Sequence, residues 1–450
     1  MEPRAAGVSH TGDPMTHPTP VLSLPAGAPR HLGFRFLAAY LLLYNLEALL
    51  QLVPVVRDHS DFLGRGWNVL VLWTERVVLG MTTLSSLEFT GSGDTSFLWV
   101  RNGCAVVIAL AAGIVWAFFD RKRRWDPTVA EALRIGVRYV VGYTLINYGI
   151  SKLIAPLQFP APSGPRLLEP VGRLSPMGLL WTFMGASKAY TAFGGVMETV
   201  AGILLLWRRT TPLGAFLAAG VILNIVLLNF CYDVPVKLYS ANLLLMAVFL
   251  LWPDFGRLSR VLVLNRPAEA ASLDPPWKAS RFRIVAAAAK VVILGAILHF
   301  GYTRYRGSGP LYKAVSSPVA QLAGLWDVED FKSDGVVLPP LMTDRQRWRR
   351  VVFDPASGGM QLIAIGAYDQ RLGFWFVAPA STEGKLVLTL DEKDAQSVTF
   401  VLVHSQPDRI ELQGESKGHA LVVKLHRASE WNTRLLTRGF HWVNETPFNR

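Results

Sequence analysis

Two patterns of apolar positions divide the chain. Up to about residue 302 they come in long, nearly unbroken runs; beyond about residue 320 they come in short runs where apolar and polar residues alternate. Seven long runs approach the roughly 20 residues that cross a hydrocarbon core of about 30 Å: 34–56, 97–119, 133–155, 189–207, 212–230, 236–252 and 283–302. Residues 62–81 (FLGRGWNVLVLWTERVVLGM) space Arg65, Trp67, Trp73, Glu75 and Arg76 through apolar residues, the composition of a helix lying in the membrane interface. Residues 176–188 (PMGLLWTFMGASK) read as a second interfacial or re-entrant piece, and 256–266 as a surface helix. The later runs RWRRVVF, MQLIAI, GFWFVA, KLVLTL, SVTFVLV, RIELQG and HALVVKLH are parted by turn signals such as DPASGG, STEG and ESKGH, which predicts a small antiparallel barrel or sandwich.

The expected architecture is a multipass α-helical membrane bundle of about seven spans followed by a small all-β barrel. Residues 1–30 are rich in Pro, Gly and Ala and lack a signal-peptide apolar region, so they read as a disordered tail. The helical domain covers 31–303, and an extracytoplasmic β-domain with a C-terminal tail covers 304–450. The first strand carries Gly324-Leu325-Trp326, and its Gly-x-Trp opening resembles that of eight-stranded lipocalin-like barrels. Phe, Leu, Val and Ile on alternate strand positions predict a filled interior.

Charge sets the expected orientation. Only 17% of residues are charged, below the roughly 25% usual for a soluble protein, and mean hydropathy is +0.30. The net charge of +12 gathers between apolar runs, at Arg121, Lys122, Arg123 and Arg124 and at Arg208 and Arg209. Arg30, Arg35, Arg257, Arg260, Arg266, Lys278, Arg281 and Arg283 fall on the same side when the N-terminus is inside. That is the positive-inside bias. It implies a lipid bilayer with anionic headgroups as the partner rather than nucleic acid, and in a bacterium an inner-membrane protein with a periplasmic C-terminal domain. Cys104 and Cys231 form no CxxC and are expected to be buried free thiols.

Polar residues inside the apolar runs carry the candidate chemistry. A charge in hydrocarbon costs roughly 2.5–3.5 kcal/mol, so such residues tend to face a bundle interior and mark function. In the third run Arg138, Gly142, Leu145, Gly149 and Lys152 share a helix face, with Tyr148 at its border. Two glycines there let a helix or a flat ligand approach the backbone. Gly195, Glu198 and Gly202 share a face of the fourth run, where Glu198 needs a partner such as Lys152 or Arg138. Asn45 and Glu47 lie in the first run, and Asn224, Asn229, Lys237, Tyr239 and Asn242 mark the fifth and sixth. Lys152, Asn229, Asp233, Lys237 and Asp94 fall near the outer surface, so NFCYDVPVK (229–237) reads as one wall of an outward-facing polar pocket. Lys152, Glu198, Asp94, Lys237 and Asp233 are the candidate catalytic groups; Tyr148, Asn224, Asn229, Tyr239 and Gly149 are the candidate ligand contacts. Plainer readings stand beside these. Lys152 and Lys237 can snorkel to headgroups, and Asp94 can cap a helix. Tyr148, Tyr190 and Tyr239 can be interfacial aromatics. His441 and Glu445 can be surface residues, and Asn444-Glu445-Thr446 matches a glycosylation acceptor that means nothing in a bacterial chain.

The strings GSGDTSFLWV, RYVVGYTLINYGISKLIAPLQFP, SPMGLLWTFMGASKAYTAFGGVMETVAGILLLWRRTTPLGA and LNFCYDVPVKLYSANLLLMAVFLLWPD, within about 88–266, resemble the DoxX-like family of small membrane proteins. The chain is larger than the four-helix members, adding a first run, a seventh run and the β-rich region ending RGFHWVNETPFNR. The resemblance implies a quinone-facing or redox-linked membrane role, with a quinone as cofactor and a redox partner subunit; it carries over no catalytic residues. RYVVGYTLINYGISKL is also similar to the Arg…Tyr…Gly-x-x-Lys-Leu helix of HTTM proteins, relatives of vitamin-K-dependent carboxylase. There a membrane-embedded lysine acts on a reduced quinone, which implies Lys152 as the matching residue. A desolvated lysine can act as a base.

Three readings follow. The first is a quinone-linked membrane oxidoreductase or its subunit; with no CxxC, metal-spaced Cys/His set or GxGxxG, it needs a partner subunit or an electron-delivering substrate. The second is a membrane receptor or assembly factor whose β-domain binds a lipid, a small molecule or a protein. A transporter comes last, for want of an internal helical repeat or a broken-helix pair.

Overall fold

The computed structural model describes residues 28–51, 61–88, 90–122, 125–153, 158–162, 164–270, 321–356, 359–369, 371–377, 381–382, 385–388, 400–416 and 418–428, with 288, 291, 295, 299, 302, 303 and 435 as isolated positions. The expected seventh span, the N-terminal tail and the segment holding His441 and Glu445 lie outside these residues, apart from Ala28–Arg30 and the isolated positions within 283–302. The helices are α1 (Ala28–Gln51), α2 (Asp61–Trp73), α3 (Ser96–Phe119), α4 (Asp126–Leu153), α5 (Gly164–Leu168), α6 (Pro176–Ala186), α7 (Lys188–Leu205), α8 (Thr211–Cys231), α9 (Lys237–Leu251) and α10 (Phe255–Leu262). Among the described residues, three helical segments are long and apolar enough to cross a membrane: α3, α8, and α9 with its continuation through α10. Helices also form at the expected positions of α1, α4 and α7, but these carry charges that the protein buries, among them Arg35, Arg138, Lys152 and Glu198. Their apolarity is thereby reduced below that of α3 and α8.

The chain divides into two compact units, one of residues 1–140 and 248–282, the other of 141–247 and 283–450. In the first, α1 meets α3 so closely that a Cβ on Gly113 would lie 3.0 Å from the Phe36 nitrogen. Buried Arg35 donates to Asp126 Oδ1 at 2.9 Å and to the Asp120 carbonyl at 2.8 Å, under the Trp116 ring. Glu47, embedded in the first run, pairs with Arg101, whose guanidinium lies 5.1 Å from the Trp67 ring centroid. Helix α2 runs into a π-helical turn, Thr74–Val78, that buries Glu75 completely. Its carboxylate accepts from the backbone N–H and the hydroxyl of Ser85, which ties down the following loop. Each buried charge here is met by a partner, as burial demands.

In the second unit a curled antiparallel sheet forms a half-barrel with strand order β5-β4-β3-β1-β10-β9-β8-β7-β6, and the two-residue β2 pairs with β1. Expected as eight strands, it has ten among the described residues, because Val336–Val337 and Ser381–Thr382 form short pairings that alternation alone does not mark. The central strand β1 (Gly324–Ser333) lies between β10 (His419–Arg427) and β3 (Arg350–Ala356). Its register slips between Val328 and Asp330, so Trp326 and Phe331, five positions apart, both reach the core. That is how an extra residue in a strand re-phases its two faces. Described inward positions are filled: Trp326, Phe353, Phe400 and Leu412 are wholly buried. The other face is also covered locally, where Leu168 of α5 packs on Leu325, Val352, Ile363 and Ile365.

Candidate functional site

Small residues bring α4 and α7 together. The two helices cross antiparallel in the second unit, Gly142 against Gly202 and Gly149 against Gly195. A Cβ on Gly149 would lie 2.1 Å from Thr199 Oγ1 and 2.6 Å from the Gly195 carbonyl oxygen. Alanine favours a helix over glycine by about 1 kcal/mol, but the clash is larger. Gly149→Ala is therefore expected to destabilise by about 1–3 kcal/mol, read as a lower thermal midpoint in detergent. An unchanged midpoint would show that the two helices part freely.

The close crossing sets a buried ion pair. Lys152 Nζ donates to both carboxylate oxygens of Glu198, at 2.8 and 2.7 Å. The residues are 9% and 2% exposed. Of the two cations considered for Glu198, the structure joins it to Lys152, so that lysine does not snorkel. Nζ also lies 5.7 Å from the Tyr148 ring centroid and 5.9 Å from that of Phe159, within cation–π range. An ammonium has three donors. Two serve Glu198, and the third has no hydrogen-bond partner among the described residues.

The turn at 229–237 braces this site from the apolar side. Phe159 meets Trp181 edge-on, with ring centroids 5.0 Å apart, and packs with Leu180, Met184 and Val234. Val234 thus links the NFCYDVPVK turn to the aromatic wall beside Lys152. Asp233 adopts φ 51°, in the left-handed region, and its carboxylate is 80% exposed. It accepts from Lys237 Nζ at 2.7 Å, an exposed i,i+4 pair of small energetic weight. Asn229 is buried, and its side-chain N–H2 has no partner among the described residues, while its backbone carbonyl accepts from Val234. The Tyr239 hydroxyl lies 3.3 Å from Thr144 Oγ1, tying α9 to α4.

Other expected site residues lie elsewhere. Asn224 is exposed on α8 rather than turned into a pocket. Asp94 belongs to the first unit, where its backbone N–H donates to Ser92 Oγ. The cap of α3 is its neighbour Thr95, which accepts from the Leu98 N–H. Cys104 is half-buried against Thr74, and Cys231 is exposed, not buried as expected, because α8 turns its last residue outward. Phe159 and Thr199 were not foreseen. The PLQFP segment after Lys152 held the signal, an aromatic just past the end of a helix that finishes in lysine.

No family model matches the chain, and no solved structure matches it. It is 34% identical to the uncharacterized protein YwoB of Bacillus subtilis over 131 residues, 29% of this chain and 82% of YwoB. The chain belongs to the YwoB family. The region shared with YwoB is less than a third of the chain.

Proposed function

We propose that this is a DoxX-like inner-membrane protein that holds a quinone-class headgroup at the Lys152–Glu198 pair, as a quinone-linked oxidoreductase or a subunit of one. The observation that carries this reading is the buried pair itself, with one ammonium N–H unmatched among the described residues and aromatic rings beside it. In this reading seven spans cross the membrane with the N-terminus inside, and the lipocalin-like β-domain is periplasmic. Lys152 offers its third N–H to a carbonyl oxygen, Tyr148 offers a half-exposed ring for a flat headgroup to lie against, and Asn229 offers a further amide donor. These residues fit a quinone, which when bound supplies two-electron, two-proton redox chemistry. Glu198 holds the ammonium in place and can take a proton from Nζ across 2.7 Å. Electrons come from a partner subunit. The exposed Asp233–Lys237 pair sits at the turn, where protons reach it from water. The filled sheet core favours a covering role for the β-domain over the receptor reading, in which it would bind a small molecule inside.

The test is a mass-spectrometric inventory of quinones and lipids on protein purified in mild detergent. Wild type is expected to carry near-stoichiometric quinone, and a folded variant with Lys152→Met and Glu198→Leu, which removes the donor to the quinone carbonyl, to lose about 90% of it (roughly the tenfold weakening expected for one charge-assisted contact). Equal traces of quinone in both proteins would move the weight to the receptor or assembly-factor reading.

A further inference from the structure

Helix α8 presents an outward stripe of Leu213, Phe216, Gly220, Leu223, Leu227 and Phe230, all exposed and spaced 3-4-3-4-3. Asn224 and Cys231, seven residues apart, flank it and are exposed as well. Among the three segments long and apolar enough to cross a membrane, Asn224 is the one exposed polar side chain away from an end. It makes no hydrogen bond among the described residues. An amide left against lipid is unsatisfied in both its donors and its acceptor. Beside it, a Cβ on Gly220 would meet nothing within 4 Å, so a neighbouring helix can approach the backbone there.

We propose that this face of α8 is the interface with a second copy of this chain, paired helix to helix through Asn224. The amide is its own complement, since the N–H2 of one matches the C=O of the other. Two copies inserted with the same topology are related by a two-fold axis along the membrane normal, which sets identical residues opposite one another. Asn224 then meets Asn224, Gly220 allows the approach, and the two Cys231 thiols fall at one depth. The 3-4 spacing suits a left-handed helix pair. The inference is independent of the quinone reading.

The experiment uses the full chain with Cys104→Ser, reconstituted at low protein-to-lipid ratio and treated with a mild oxidant. A disulfide-linked dimer through Cys231 is expected, lost with Cys231→Ser. Asn224→Leu is expected to reduce the dimer association constant about tenfold, and Gly220→Leu more. Both variants add apolar surface where no described residue packs, so the packing described for the protomer is left intact. Three outcomes would overturn the proposal: monomers at every ratio, dimers indifferent to both substitutions, or a Cys231 shielded from a membrane-permeant thiol reagent in monomers. The last would mean that another segment of this chain covers the stripe.

Discussion

Lys152→Ala is expected to lower stability by about 3–5 kcal/mol, because it leaves the Glu198 carboxylate buried without its counter-ion. Both Glu198 oxygens accept from the same ammonium, so one substitution removes both bonds. Glu198→Gln should cost less. The amide oxygen still accepts from Nζ, and the rings of Tyr148 and Phe159 remain beside the cation. The paired replacement Lys152→Met with Glu198→Leu removes both charges at similar volume, and is expected to return to within about 1 kcal/mol of wild type. Thermal unfolding of the four proteins in one detergent gives the comparison. If the doubly substituted protein is as unstable as Lys152→Ala, the pair is not self-contained and a further charged group depends on it. If it is stable yet holds no quinone, structure and function separate cleanly at this pair.

Trp326→Ala is expected to cost a further about 3–5 kcal/mol in a different place, the core of the half-barrel. The indole is wholly buried, meets Phe353 edge-on and donates from Nε1 to the Leu322 carbonyl at 2.7 Å. Arg427 of the last strand lies 4.6 Å over its ring and donates to the backbone carbonyls of Ala323 and Gln321. One side chain thus joins the first and last strands of the described sheet. Trp326→Phe restores most of the volume but leaves the Leu322 carbonyl without its donor, so about 1–3 kcal/mol is expected. Near-ultraviolet circular dichroism during thermal unfolding reads the sheet directly. Equal midpoints for all three proteins would mean that the core closes over the gap, which close packing forbids.

Run length and period revealed part of the fold, the long apolar helices and the antiparallel sheet. Unbroken apolar runs became α3, α8 and α9, and the alternating runs after residue 320 became strands in the expected places. These are local properties: a helix or strand buries one side of itself whatever it packs against. The Gly142–Gly149 and Gly195–Gly202 pairs were legible as faces for the same reason, and they proved to be where α4 and α7 meet. The depth argument for NFCYDVPVK was only partly instructive. Depth grouped Lys152, Asn229, Asp233, Lys237 and Asp94, but depth says nothing about rotation, and rotation decides whether a side chain turns inward.

Packing between distant segments supplied that rotation. It joined Lys152 to Glu198 across 46 positions, turned Asn229 inward and Asn224 outward on one helix, and set Phe159 beside the ammonium. A helical wheel orders residues around an axis but leaves the axis free to turn. The close glycine contacts between α4 and α7 and between α8 and α7 remove that freedom, because only one orientation lets the backbones touch.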